Sequence, residues 1–201
     1  TVQDVTERMH AEQALRRSEE RLRVIYDASP VVISVSRLED GQFLEVNPTF
    51  LRIGGWTREE VVGRTSFDVG VWVEPRDREK IIEGVRAHGA VRDLEISFRI
   101  KSGEVRQLLC SVELIHLEQG ACLLLVAQDI TERKQAETQM QKLSRALEQT
   151  ADAVLITDHD GVIEYVNPAF EQVSGYTSAE AVGRQPNLLK SGRQGPGFYE
   201  N

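Results

Sequence analysis

Apolar residues along the chain recur with two different periods. Residues 6–28 contain no Gly or Pro and place Ala11, Leu15, Ser18, Leu22 and Ile25 at alternating steps of four and three, the seam of a helix that packs lengthwise on another. Glu12 and Glu19 stand one turn ahead of Arg16 and Arg23, the better order for helix pairs. The same seam returns in Ala136, Met140, Leu143, Leu147 and Thr150. Helices of this length are marginal alone in water, so Leu15, Leu22, Ile25, Met140, Leu143 and Leu147 predict a dimer seam. Two solvated linker helices are the alternative, because only about three heptads are present.

Between the helices the period falls to two. The runs 31–36 and 43–46 flank Glu39-Asp40-Gly41 and predict a hairpin. Asn47 is placed to cap a helix with Pro48 at its first position, and Thr57 with Glu60 forms a capping box repeated at Thr177 and Glu180. Pro75 to His88 predicts a longer helix stopped by Gly89. Three strands follow. Leu94, Ile96, Phe98 and Ile100 alternate with Asp93, Glu95, Ser97 and Arg99; Leu108, Cys110, Val112 and Leu114 share one face; residues 121–128 are apolar almost throughout, as in a central strand. Five antiparallel strands with helices packed on one face make an α+β domain.

The chain also repeats itself. Asp40–Arg64 aligns without gaps on Asp160–Arg184 with 12 of 25 positions identical, and Asp4-Val5-Thr6-Glu7-Arg8 echoes Asp129-Ile130-Thr131-Glu132-Arg133. Residues 1–8 then read as the tail of a preceding copy, 9–28 as a linker helix and 29–130 as a whole module. Residues 131–150 are a second linker helix, and 151–201 are the truncated N-terminal part of another copy, expected to fold poorly alone. In the echoed segment Asp129 can cap the next helix with Glu132 at the third position, as Asp4 can with Glu7; a plain helix start is the alternative.

Composition narrows the function classes. The 201 residues carry a net charge of −8, which repels a phosphate backbone and leaves nucleic acid an unexpected partner. No apolar run crosses a bilayer and no secretion signal opens the chain, so a cytoplasmic location with no membrane segment is expected. Cys110 and Cys122 sit in apolar runs and read as core residues, with no disulfide and no metal site.

V-N-P-x-F, G-[WY]-T-x-x-E-x-V-G-R, the K-S-G-E turn and D-I-T-E-R-K, in this order and spacing, resemble the PAS sensor domain family. The resemblance implies a curved sheet around a small pocket, for which Asn47, Phe50, Trp72, Ile96, Phe98 and Cys110 are candidates. It also implies that Asp129, Thr131 and Arg133, with Asp4, Thr6 and Arg8 in the preceding copy, relay sheet rearrangements into coiled-coil helices. Flavin photocycling relatives carry G-R-x-C; here Ser66 and Pro186 hold that position, which disfavours covalent flavin. Haem relatives use a histidine on the long helix, where this chain offers only His88 at the last turn. No cofactor is expected for 29–130, while non-covalent flavin in the second copy stays open because Leu188-Leu189-Lys190-Ser191-Gly192 resembles a segment of some flavin relatives. Buried Trp72, Phe98 and Cys110 are also ordinary core residues, and an empty module is the leading reading.

Nucleotide-binding, zinc-protease, serine-hydrolase, kinase and cyclic-dinucleotide motifs are absent, so no catalysis is expected in this chain. By resemblance the parent is a sensor histidine kinase of a two-component system or a cyclic-di-GMP enzyme, with its output domain downstream; Leu189–Arg193 leans toward the second. Two classes remain: a sensor that binds a small molecule such as flavin or haem, and an interaction module that only dimerises and transmits.

Overall fold

The computed structural model describes the backbone of residues 2–189 and the side chains of 9–189 except residue 11. Two compact units divide after Lys134. Helix α1 (Val2–Ala28) leads into β1 (Val32–Arg37), β2 (Phe43–Val46), α2 (Pro48–Gly54), α3 (Arg58–Val61), α4 (Ser66–Val69), α5 (Pro75–His88), β3 (Ala90–Arg99), β4 (Val105–Leu117) and β5 (Gly120–Asp129). The five strands form one antiparallel sheet in the order β2-β1-β5-β4-β3, so β5 is central and pairs along its length with both β1 and β4. This is the α+β architecture expected from the strand pattern.

Local chemistry explains the boundaries. Pro75 opens α5 where a missing N–H costs nothing, and Gly89 closes it at φ 77°, a conformation open to glycine. Thr57 with Glu60 and Thr65 with Asp68 complete capping boxes. The core has two adjoining parts. Phe50 meets Phe43 and Phe98 edge to face at 5.3 and 5.8 Å, while Ile81 and Val85 of α5 press on Val112 and Leu123 of the sheet.

Each outer strand of the sheet is bonded outward at one residue. Phe43 of β2 donates to the Arg64 carbonyl and accepts from the Gly63 N–H, and Arg99 of β3 donates to the Val71 carbonyl. On α1, Arg16 pairs with Glu20 and Arg23 with Asp27, in each case with the acid C-terminal to the arginine. Leu15, Leu22 and Ile25 are 61, 64 and 59 % exposed.

The second unit begins within α6 (Thr131–Gln149) and continues through β6 (Leu155–Thr157), β7 (Ile163–Val166), α7 (Pro168–Ser174), α8 (Ser178–Ala181) and a 3-10 turn at Pro186–Leu189. It repeats the edge bracket and the Asn cap of the first unit. Ile163 donates to the Arg184 carbonyl and accepts from Gly183, as Phe43 does with Arg64 and Gly63. Its sheet has two strands, over a core of Ile163, Val166, Phe170 and Ala181. Met140 and Leu143 are exposed, whereas Leu147 is half-buried.

Candidate functional site

Three places gather the chemistry that the sequence singled out. The first is the foot of α1. Asn47 is fully buried, and its amide makes four hydrogen bonds: Oδ1 accepts from the N–H groups of Ile33 and Phe50 at 3.0 Å, and Nδ2 donates to the carbonyls of Val31 at 2.8 Å and Tyr26 at 3.5 Å. A helix cap needs only the Phe50 bond; the other three tie the end of α1 to β1. Thr49 adds a bond to the Ser29 carbonyl. Asn167 repeats the arrangement, accepting from Val154 and Phe170 and donating to Asp152 and Leu147. Asn47, placed among the pocket candidates, is a structural hub and is not among the residues that line the cavity between the sheet and the helices.

The second is the junction of β5 and α6. Asp129 Oδ1 accepts from the Thr131 N–H at 2.9 Å and the Thr131 hydroxyl at 2.5 Å. Thr131 Oγ1 in turn accepts from the N–H of Gln107 on β4 at 2.8 Å, and the Ile130 N–H donates to the Gln107 carbonyl. Gln107 continues to Ser97 on β3, and Lys134 of α6 pairs with Glu95 of β3 at 2.8 Å. The first turn of α6 is thus bonded to the last three strands. The capping box expected with Glu132 does not form: the helix starts at Thr131, which puts Glu132 one position too early, and Asp129 closes a local turn on Thr131. Arg133 is exposed in the same turn. Sequence reasoning missed Arg106, whose Nη1 lies 3.8 Å from Asp129 Oδ2. In the echoed segment, α1 already runs from Val2, and the side chains of Asp4, Thr6 and Arg8 lie outside the described residues.

The third is a cavity of about 40 Å³ between the sheet and the helices. Of the residues the resemblance offered, Phe50, Trp72, Ile96 and Phe98 line it and Cys110 does not. Cys110 Sγ contacts the Leu94 carbonyl at 3.1 Å, and burial together with the Asp77 charge pushes its thiol up to about 12. Sequence reasoning missed Arg78, which also lines the cavity; burial lowers its pKa, and its Nη2 donates to the Leu38 carbonyl at 3.0 Å. The signal was present, since Arg78 stands three residues before Ile81 and seven before Val85, on the stripe that α5 buries.

Among the described residues no helix is long and apolar enough to cross a membrane, and no group of His, Cys, Asp or Glu is placed to hold a metal ion. Residues 190–193 of the Leu-Leu-Lys-Ser-Gly-Arg stretch lie outside the described residues.

Comparison with known proteins fits this architecture. The sensor histidine kinase TmoS of Ectopseudomonas mendocina is 27% identical over 188 residues, 89% of this chain and 19% of TmoS. Sensor protein FixL of Bradyrhizobium diazoefficiens is 30% identical over 128 residues, 58% of this chain and 25% of FixL. The chain thus spans a quarter or less of either relative. The PAS domain of an HTR-like protein from Haloarcula marismortui shares the fold, with a TM-score of 0.50 at 23% identity over 61% of this chain and 99% of that domain. A family model described as PAS fold matches residues 20–130 and 141–192, and the chain belongs to the PAS family.

Proposed function

We propose that this chain is a sensory and signal-relay region that forms a homodimer through its linker helices and PAS module. It passes conformational change through the D-I-T-E-R junction to an output domain downstream in the same protein. The observation that supports this reading is the Asp129–Thr131–Gln107 bond chain, which ties the start of α6 to β4 and β5. Exposed Leu15, Leu22, Ile25, Met140 and Leu143 support a second copy as the partner, because they form one apolar seam on each linker helix. TmoS is a sensor histidine kinase, which favours a kinase over a cyclic-di-GMP enzyme as the output. Two free, buried cysteines suit a reducing, cytoplasmic setting.

A nitroxide at Gln141 in the full chain tests the relay. Thr131→Val should change the inter-protomer distance distribution relative to wild type; identical distributions would sink the mechanism.

In this reading residues 29–130 carry neither flavin nor haem. The cavity holds only a few water-sized units, and neither His nor Cys lines it. An absorption band in the near-ultraviolet or visible from freshly purified protein would instead make the module a redox, light or gas sensor.

A further inference from the structure

The cavity is apolar except where Ser66, Trp72 and Arg78 cluster. Trp72 Nε1 donates to Ser66 Oγ at 2.9 Å, and Ser66, nearly fully buried, donates its own proton to no acceptor among the described residues. Arg78 Nε and Ser66 Oγ each lie 2.8 Å from the point that a Cβ on Gly41 would occupy, so the bare backbone of the β1–β2 turn lets the two side chains sit side by side. Arg78 spends one Nη2 proton on the Leu38 carbonyl, and its guanidinium carbon lies 5.7 Å from the Phe67 ring centroid. It has no carboxylate in pairing distance among the described residues: Asp40, whose charge acts on it, is already bonded to Arg37 at 2.8 Å. A half-buried cation facing apolar walls without an acid is costly unless an anion completes it.

We propose that this cavity binds a short-chain carboxylate of two or three carbons, its oxygens on Arg78 and Ser66 and its aliphatic end against Val32, Phe43 and Leu108. The guanidinium fork of Nε–H and the second Nη2–H matches a planar carboxylate and suits it better than a tetrahedral anion. Size gives the chain length: about 40 Å³ corresponds to roughly three waters at about 10–15 Å³ each. Leu123 and Leu125 of β5 share the cavity wall, and β5 ends at Asp129. Ligand-dependent movement at α6 rests on the relay reading; binding itself does not.

The test titrates sodium propionate and sodium acetate into the full chain by calorimetry, with Trp fluorescence as a second signal and sodium chloride and phosphate as controls at matched ionic strength. Saturable binding with Kd below about 1 mM is expected, within the reach of so few atoms. Arg78→Gln should weaken it at least tenfold with the thermal transition retained. If that variant does not fold, Ser66→Ala supplies the comparison, with at least threefold weaker binding expected, and labelled propionate should show NMR contacts to the methyl groups of Val32 and Leu108. No saturable binding, or equal binding by the variants, overturns the site. Binding that leaves amide exchange at Thr131 unchanged supports the site and counts against the relay. Absent binding alongside an Asp129→Ala variant that still loosens α6 overturns the site alone.

Discussion

Asp129 holds Thr131 twice, by the backbone N–H at 2.9 Å and by the hydroxyl at 2.5 Å, so one carboxylate oxygen orients the group that receives the Gln107 N–H. The last strand and the helix after it are joined by side chains as well as by the chain itself. Asp129→Ala is expected to free the first turn of α6 by about 1 kcal/mol, a several-fold rise in amide exchange at Thr131. Thr131→Val leaves Gln107 N–H without its acceptor and should cost about 1–3 kcal/mol. Exchange measured residue by residue checks both, and rates equal to wild type would show the junction held by other contacts.

Asn47→Leu strips partners from four backbone groups, two N–H and two carbonyl, in a fully buried place. A loss of about 2–4 kcal/mol is expected. Trp56 and Trp72 both lie in the first unit, so tryptophan fluorescence during heating reads that unit separately. Asn47→Leu should lower its midpoint, and Asn167→Leu should leave it in place.

Leu22→Lys puts a charge into the exposed seam of α1. Sedimentation should show a weaker dimer at a given concentration. A mass unchanged from wild type would remove the seam as the dimer contact.

The Cys110 thiol rises from its ordinary 9.0 to about 12 because burial, and then the Asp77 charge, oppose the thiolate. The folded state keeps the proton that the unfolded chain releases near pH 9. Its contribution to stability is therefore whole below pH 9 and is lost as pH climbs toward about 12. Urea midpoints should fall with pH above 9 more steeply for wild type than for Cys110→Ala; parallel curves would rule the thiol out. At pH 8 iodoacetamide should spare Cys110 in the native protein and modify it after unfolding.

Much of the fold was legible because its signals are local. Pro75 and Gly89 bracket α5, and Thr57 with Glu60 opens α3, each through contacts within one helical turn. The site was less legible, because its bonds cross long stretches of sequence. Asn47 reads as a cap, yet its partners Val31 and Tyr26 lie 16 and 21 residues away and meet it only when β2 pairs back along β1. Glu132 looked like the partner of Asp129 because the spacing suits a capping box; the helix starts later, and the turn closes on Thr131 instead. Ser66 and Arg78 stand 12 residues apart in different helices and converge only over Gly41. Of these, only Arg78 left a trace in the pattern, as a charge on an apolar stripe.

The backbone brackets on the outer strands carry a last consequence. A chain of repeated domains keeps each copy at high local concentration beside its neighbours, the condition under which strands are exchanged between repeats during folding. Gly63 and Arg64 bond the outer side of β2 at Phe43, Val71 bonds that of β3 at its last residue, Arg99, and Gly183 with Arg184 repeat the first bracket at Ile163 of β7. At Phe43 and Ile163 the V-G-R triplet thus takes the backbone groups that a strand from another module would need to pair there.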